Sequence, residues 1–338
     1  MAVRTEQTNL GDLSADANLA LARTYDPATA VSIKNGGGIR AEIGVVDGYT
    51  GELLPTAANP LSGKQAGELS QLDVENSLRF NNTLALLTVS AAELRNLLEH
   101  GVAASRPGAT PGQFPQVGGL AFSYDLTRTA IRFDTNGNVT TPGERVRRLA
   151  LVNAAGHETD VLAEQGQVVG DPHRPIRVVT LNFLANPQAA SPGLGGDGYP
   201  FPAYAEDLVD LTKVLTDAGL ASFAAPGSEQ DALAEFLKAN YAATPYALED
   251  TDLISDYRIV NLVAMAPVVT GLALTADRVE ILLPTVAGRL YVVEHAEEVA
   301  GPWEALPSGL VRGDGQVARV QDSGAGFLHR FYRVSLVE

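Results

Sequence analysis

No cysteine occurs among the 338 residues. That excludes disulfides, thiol nucleophiles and thiolate metal sites together, and it suits either a cytosolic or an exported bacterial-type protein. Apolar runs long enough to span a bilayer are also missing. Cationic side chains are in short supply, 24 Lys and Arg against 40 Asp and Glu, for a formal charge of −16. Such a balance argues against a partner gripped by its phosphates over a broad surface, whether nucleic acid or an anionic membrane. Histidines number five: His100, His157, His173, His295 and His329. They are scattered without metal-ligand spacing or clustered carboxylates, so each reads as a surface or capping residue. No nucleophile elbow or Ser–His–Asp signature stands in their place. The N-terminus has no hydrophobic signal core, and a helix opens directly after Arg4, as expected of a chain cut from something longer.

What is present is a globular composition, 45% apolar, and enough length for one large or two to three ordinary domains. The chain is organised around Thr180–Ala185, interrupted and then continued by Gly195-Gly196-Asp197-Gly198-Tyr199-Pro200. A β-branched run feeds Phe183, and the glycines beyond turn the chain tightly. An aromatic face and a carboxylate at the two ends of one loop suit a flat ligand carrying hydroxyls, although a core Phe beside a Gly-Asp-Gly turn explains the stretch as well.

Upstream, Asn9–Ala22 is amphipathic with early carboxylates, a helix broken by Asp26-Pro27. A short strand, 28–33, closes on Asn35-Gly36-Gly37-Gly38-Ile39-Arg40, whose glycines permit close backbone approach and whose Arg40 offers a forked cation. Residues 54–71 read as a surface insertion; its Gly63-Lys64 lacks the rest of a phosphate loop. Ser90-Ala91-Ala92-Glu93 is a capping box starting a helix that runs to His100 and stops at Gly101. Asn136-Gly137 signals a hairpin between strands near 130–133 and 146–152, and the Asp134, Asn136 and Asn138 alternation lacks the glycine and closing Glu of a calcium loop. Helical spacing returns at 204–220 and 230–241. From Pro267 onward short strand-like runs alternate with turns, among them Gly288–Glu294 and 331–337, a small sandwich with Trp303 in its core.

These motifs come in a fixed order: Arg4 with Thr8-Asn9-Leu10-Gly11-Asp12-Leu13, then Asn35–Arg40, Phe80-Asn81-Asn82, Phe114 with Gln116-Val117, and Asn182-Phe183 with Gly195–Tyr199. Taken together they resemble the C-terminal, substrate-binding domain of the 5′-nucleotidase family. The resemblance covers about residues 4 to 265. It implies an α+β fold, a mixed sheet with packed helices built from strands near 28–33, 84–89, 120–124, 146–152 and 176–181. The organisation expected is a nucleotide-binding domain over 1–266 and an all-β sandwich over 267–338, the latter similar to modules at the ends of secreted bacterial enzymes.

By the same resemblance, a base is clamped between Phe80 and Phe183, Asp197 binds the ribose hydroxyls, and Asn82 faces the base. Asn35 helps position the nucleotide, and Arg4 and Arg40 hold its phosphate side. Physical chemistry agrees, since two π faces hold any base, a carboxylate recognises a diol and paired guanidiniums neutralise phosphate. Two departures stand out: Arg79-Phe80-Asn81-Asn82 replaces the family's Pro-Phe-Gly-Asn, and the interruption Pro187–Leu194 either bulges outward or reshapes the pocket. In the family, hydrolysis belongs to a preceding metallophosphoesterase domain holding two divalent metal ions. No cofactor is expected here, the partners expected are a nucleotide or nucleoside and that missing domain, and the chain alone is expected to bind without hydrolysing. The longer protein is expected in the periplasm or outside the cell. A different class remains open, a non-catalytic attachment module whose nucleotide slot is lost.

Overall fold

The computed structural model describes residues 2–264, 267–274, 278–286, 289–323 and 330–336. Two compact units divide it: 1–251 with 256–260, and 252–255 with 261–338. Gly288, His329 and Val337 lie outside the described residues. No helix among them is long and apolar enough to cross a membrane.

The first unit is built on two five-stranded sheets. In spatial order, the first runs Glu206–Asp210, Leu84–Ser90, Pro175–Leu181, Val31–Asn35, Pro115–Gly118. Val31–Asn35 pairs parallel with Pro175–Leu181, while the other pairings are antiparallel, so the sheet is mixed. Its central strands are covered on both faces: all of Val31–Asn35 is buried, as are Leu84, Leu86, Leu87, Val178 and Val179. Near-continuous apolar runs such as Leu84-Ala85-Leu86-Leu87 are what that environment selects. Each such side chain contributes about 1.5–3 kcal/mol on burial.

The second sheet orders Gln167–Val168, Glu158–Glu164, Val146–Val152, Leu120–Tyr124, Ile259–Asn261. The single sheet expected from sequence is therefore two, because Gly119 turns the chain at φ 74° between Pro115–Gly118 and Leu120–Tyr124 and so sends them to different sheets. Helix Ala91–Ala103 touches strands of both. Its buried Glu99 accepts the Arg145 and Val146 N–H groups at 3.1 and 2.8 Å and pairs with Arg95 at 3.0 Å, which fastens helix to sheet.

Helix Asn9–Tyr25 starts where Thr8 Oγ1 accepts the Gly11 N–H at 3.0 Å and packs on Val31–Asn35 and Pro115–Gly118. Helix Glu229–Tyr241 lies against it. The Ser90 capping box forms with Glu93, but its helix passes through Gly101 to Ala103. Gly101 is not a cap; a Cβ there would sit 2.9 Å from Pro115 and from the Tyr199 hydroxyl, so it serves close packing. Helical spacing over 204–220 also gives way. Glu206–Asp210 is an edge strand, bulged at Asp207 (φ 50°), because pairing with Leu84–Ser90 outweighs local preference. The Asn136-Gly137 hairpin joins Arg132–Phe133 to Val139–Thr141, and 146–152 goes to the second sheet instead. Asp134 Oδ1 accepts the N–H groups of Asn136 and Asn138, both at 2.9 Å, which makes the loop self-satisfied.

In the second unit two three-stranded antiparallel sheets, Gly271–Leu274 with Val279–Pro284 and Val317–Asp322, and Glu304–Arg312 with Leu290–Ala296 and Phe331–Leu336, share one core. Ile281, Leu283 and Val320 from one meet Tyr291, Val293 and Leu306 from the other. Trp303 is not in that core. It is half-buried, with the Arg333 guanidinium 4.6 Å from its ring centroid and Arg333 itself paired to Glu294 at 2.7 Å.

Candidate functional site

Register gathers the loops of interest at one end of the first sheet. Because Val31–Asn35 runs parallel to Pro175–Leu181, the carboxyl ends of both strands, Asn35 and Leu181, emerge together. Antiparallel pairing of Leu181 with Leu84 and of Asn35 with Pro115 brings the residues before Leu84 and Pro115 to that same end. Phe80, Phe183, the Gly36–Gly38 turn and Gln113-Phe114 thereby converge, and the Asn182 N–H bonds to the Thr83 carbonyl at 2.8 Å to tie the two aromatic loops. Ligands in open sheets favour this location, beyond the carboxyl ends of parallel strands.

Phe80 is 61% exposed and Phe183 42% exposed. Neither stacks on another aromatic ring among the described residues; Arg40 lies over Phe80, 5.7 Å from its centroid, and donates to the Gly37 carbonyl at 3.1 Å. Phe183 lays one face of its ring against Gly196, where a Cβ would fall 2.4 to 2.5 Å from Cζ, Cε1 and Cε2. Asp197 is exposed and holds φ 53°, ψ 16°. Its Oδ2 accepts Asn35 Nδ2 at 2.6 Å. The Asn35 Oδ1 is buried with no partner. Arg4 is half-buried, its Nε unpartnered, on a turn whose Val3 carbonyl would meet a Cβ on Gly36 at 1.7 Å. Gln116 holds that turn, donating to Val3 and Glu6 carbonyls at 3.1 and 2.8 Å. Gly11 makes room for it, since a Cβ there would stand 1.8 Å from Gln116 Oε1.

Asn82 has a structural partner that its place in the sequence does not announce. Its side-chain Nδ2 and backbone N–H both bond Glu229 Oε1, at 2.8 and 3.0 Å, so the amide nitrogen helps hold the Phe80 turn. Glu229 in turn pairs with Lys34 at 3.0 Å, both side chains fully buried. Gln230 adds a bond from Nε2 to the Leu78 carbonyl at 2.9 Å. Sequence reasoning missed this support, although Lys34 in an otherwise uncharged buried strand was a signal that an acid must meet it.

His100 departs from the capping role. Its Nε2 lies 2.9 Å from the Asp197 carbonyl, and its ring stands edge-on to Tyr199 at 4.7 Å. Burial pushes its pKa below the usual imidazole value, with the Asp197 carbonyl and carboxylate opposing more weakly. The ring, in the last turn of its helix, lies beneath the Asp197 turn. The Tyr199 hydroxyl donates to the Gln113 carbonyl at 2.6 Å, and the Gln113 side chain bonds the His100 carbonyl.

Pro187–Leu194 closes on itself through the Gln188 N–H to Leu194 carbonyl bond at 3.0 Å and docks on the Asp134–Asn138 hairpin through Gly193 N–H to Thr135 at 3.0 Å. The Phe183 ring stays exposed beside it. Two cavities of the unit, of about 70 and about 210 Å³, are lined by none of the candidate residues. Both are smaller than ordinary ligand pockets of roughly 300 Å³ or more. Among the described residues, no group of three or more His, Asp or Glu is gathered to hold a metal ion.

The family model described as 5′-nucleotidase, C-terminal domain, matches residues 1–188. Trifunctional nucleotide phosphoesterase protein YfkN of Bacillus subtilis strain 168 is 29% identical over 209 residues, which span 61% of this chain and 11% of that protein. Human 5′-nucleotidase is 29% identical over 205 residues, spanning 58% of this chain and 27% of the human protein. Among solved structures, the 5′-nucleotidase precursor of Thermus thermophilus aligns with a TM-score of 0.48 at 26% identity, covering 77% of this chain and 36% of that one. The chain therefore spans well under two thirds of the length of these relatives.

Proposed function

Because the chain belongs to the 5′-nucleotidase C-terminal domain family, we propose that it recognises a nucleotide or nucleoside for a longer nucleotidase-like phosphoesterase, taking the base between Phe80 and Phe183. The observation that carries this reading is the convergence of two exposed, unstacked phenylalanines and the Asp197 carboxylate at one end of the mixed sheet. Stacking on each ring contributes about 1–3 kcal/mol and accepts any base. Entry of a base at Phe80 exchanges the Arg40 contact for a base contact and frees the guanidinium for phosphate. Asp197, held by Asn35 on one oxygen, accepts the ribose hydroxyls on the other. Arg4, beside the glycine turn, adds positive charge on the phosphate side. No step of hydrolysis is assigned to these residues; the metal-bearing domain of the family supplies it, and this chain binds and orients.

Calorimetric titration with adenosine and AMP tests the proposal. Saturable binding that Phe183→Ala and Phe80→Ala each weaken by roughly 5- to 150-fold, with AMP bound more tightly at low salt, is the expected result. Adenosine binding that survives both substitutions, or no saturable binding in the intact chain, refutes it.

A further inference from the structure

We propose that His100 is a positioning residue for ribose recognition, holding the Asp197 carboxylate in place through the Asp197 main chain. The inference rests on the nucleotide reading above. Asp197 adopts a left-handed backbone conformation, φ 53°, that a non-glycine residue keeps only when its surroundings hold it there. Three bonds do so. Asn35 Nδ2 takes one carboxylate oxygen at 2.6 Å, the Gly198 N–H reaches back to the Gly195 carbonyl at 3.2 Å, and His100 Nε2 meets the Asp197 carbonyl at 2.9 Å.

A carbonyl oxygen can only accept, so Nε2 carries the proton and His100 is the donor. The imidazole is itself fixed from several sides. Tyr199 and Phe133 contact its ring at centroid distances of 4.7 and 5.9 Å, and the Gly198 position approaches so closely that a Cβ there would lie 3.3 Å from His100 Cε1. A side chain held this firmly fixes the carbonyl, and through one residue's dihedrals it fixes where the carboxylate points. His100 bonds the Asp197 main chain, so its effect passes through Asp197. It should therefore change recognition of the ribose diol and leave recognition of the base intact.

The test compares adenosine with 2′,3′-dideoxyadenosine, which keeps the base and lacks the diol, by calorimetric titration of the whole chain. Hydrogen bonds to a charged group predict a preference of roughly 10- to 150-fold for adenosine in the unaltered protein. His100→Phe keeps a ring against Tyr199 but has no donor, and it should reduce the preference to about 2-fold while dideoxyadenosine affinity stays unchanged. His100→Gln, which restores a donor, should recover part of the preference. His100→Leu gives the same readout as His100→Phe if the latter fails to fold. A donor-less variant that keeps the full preference overturns the proposal, as does one that weakens both ligands equally. Unaltered protein that binds neither nucleoside would instead overturn the nucleotide reading itself, so the two failures are distinct.

Discussion

The buried pair Lys34–Glu229 should be the most sensitive point of the candidate site. Both side chains are fully buried, 3.0 Å apart, and Glu229 also takes two N–H bonds from Asn82. Removing either partner leaves a buried charge uncompensated, which costs about 3–5 kcal/mol. Lys34→Met and Glu229→Gln should each lower stability by that amount. The double variant carries no charge and retains the Oε1 acceptor for Asn82, leaving one amide group imperfectly bonded, a cost of about 1–3 kcal/mol. It should therefore be more stable than either single variant, with a coupling of several kcal/mol. Urea unfolding of the four proteins reads this directly from the transition midpoints. Single losses below about 1 kcal/mol, or losses that add to within about 0.5 kcal/mol, would refute the reasoning. Adenosine affinity gives a second reading: Lys34→Met, measured where it is folded, should weaken binding because the turn presenting Phe80 has lost its anchor.

Two further outcomes follow from the same geometry. Asp12 is pushed up to about 7 chiefly by burial, with Arg258 opposing, and Asp256 also to about 7 by burial. Both folded values lie above the unfolded 3.8, so the native state binds more protons between pH 4 and 7 and stability is lost as pH rises through about 7. Unfolding midpoints should fall from pH 5 to pH 8, and Asp12→Asn should flatten the slope by up to about 1.4 kcal/mol per pH unit; a steeper slope in that variant would contradict the assignment. Gly196→Ala should displace the Phe183 ring, which a Cβ would approach at 2.4 Å, and weaken adenosine binding; unchanged affinity would disprove the contact.

Local signals made part of this legible. Ser90 announces a helix start through a hydroxyl that accepts the Glu93 N–H, and it behaves as its spacing requires. The apolar runs at 84–89 and 176–181 lie side by side with Leu84 opposite Leu181. What escaped depends on distant partners. Glu206–Asp210 has helical spacing and becomes a strand because an edge was available. The Asn82 bond to Glu229 joins residues 147 apart in the chain. Trp303 composes like a core residue, yet the sandwich fills its interior with smaller apolar side chains and Tyr291 and leaves the indole to Arg333. His100 reads as a surface or capping residue because nothing nearby in sequence reveals the turn that its ring meets.

The Asn35–Gly36 step carries a chemical consequence. Asn-Gly and Asp-Gly pairs age by attack of the glycine nitrogen on the preceding side chain, closing a succinimide ring, and the site contains one of each. Here the Gly36 N–H is held by the Phe114 carbonyl at 2.7 Å and the Gly198 N–H by the Gly195 carbonyl at 3.2 Å, while the Asn35 amide and Asp197 carboxylate hold each other at 2.6 Å. In both pairs the glycine N–H and the side chain it would attack are engaged by the bonds that shape the binding surface. Deamidation of Asn35 would set a second negative charge against Asp197, so the same contacts also guard the site against slow chemical damage over the lifetime of the molecule.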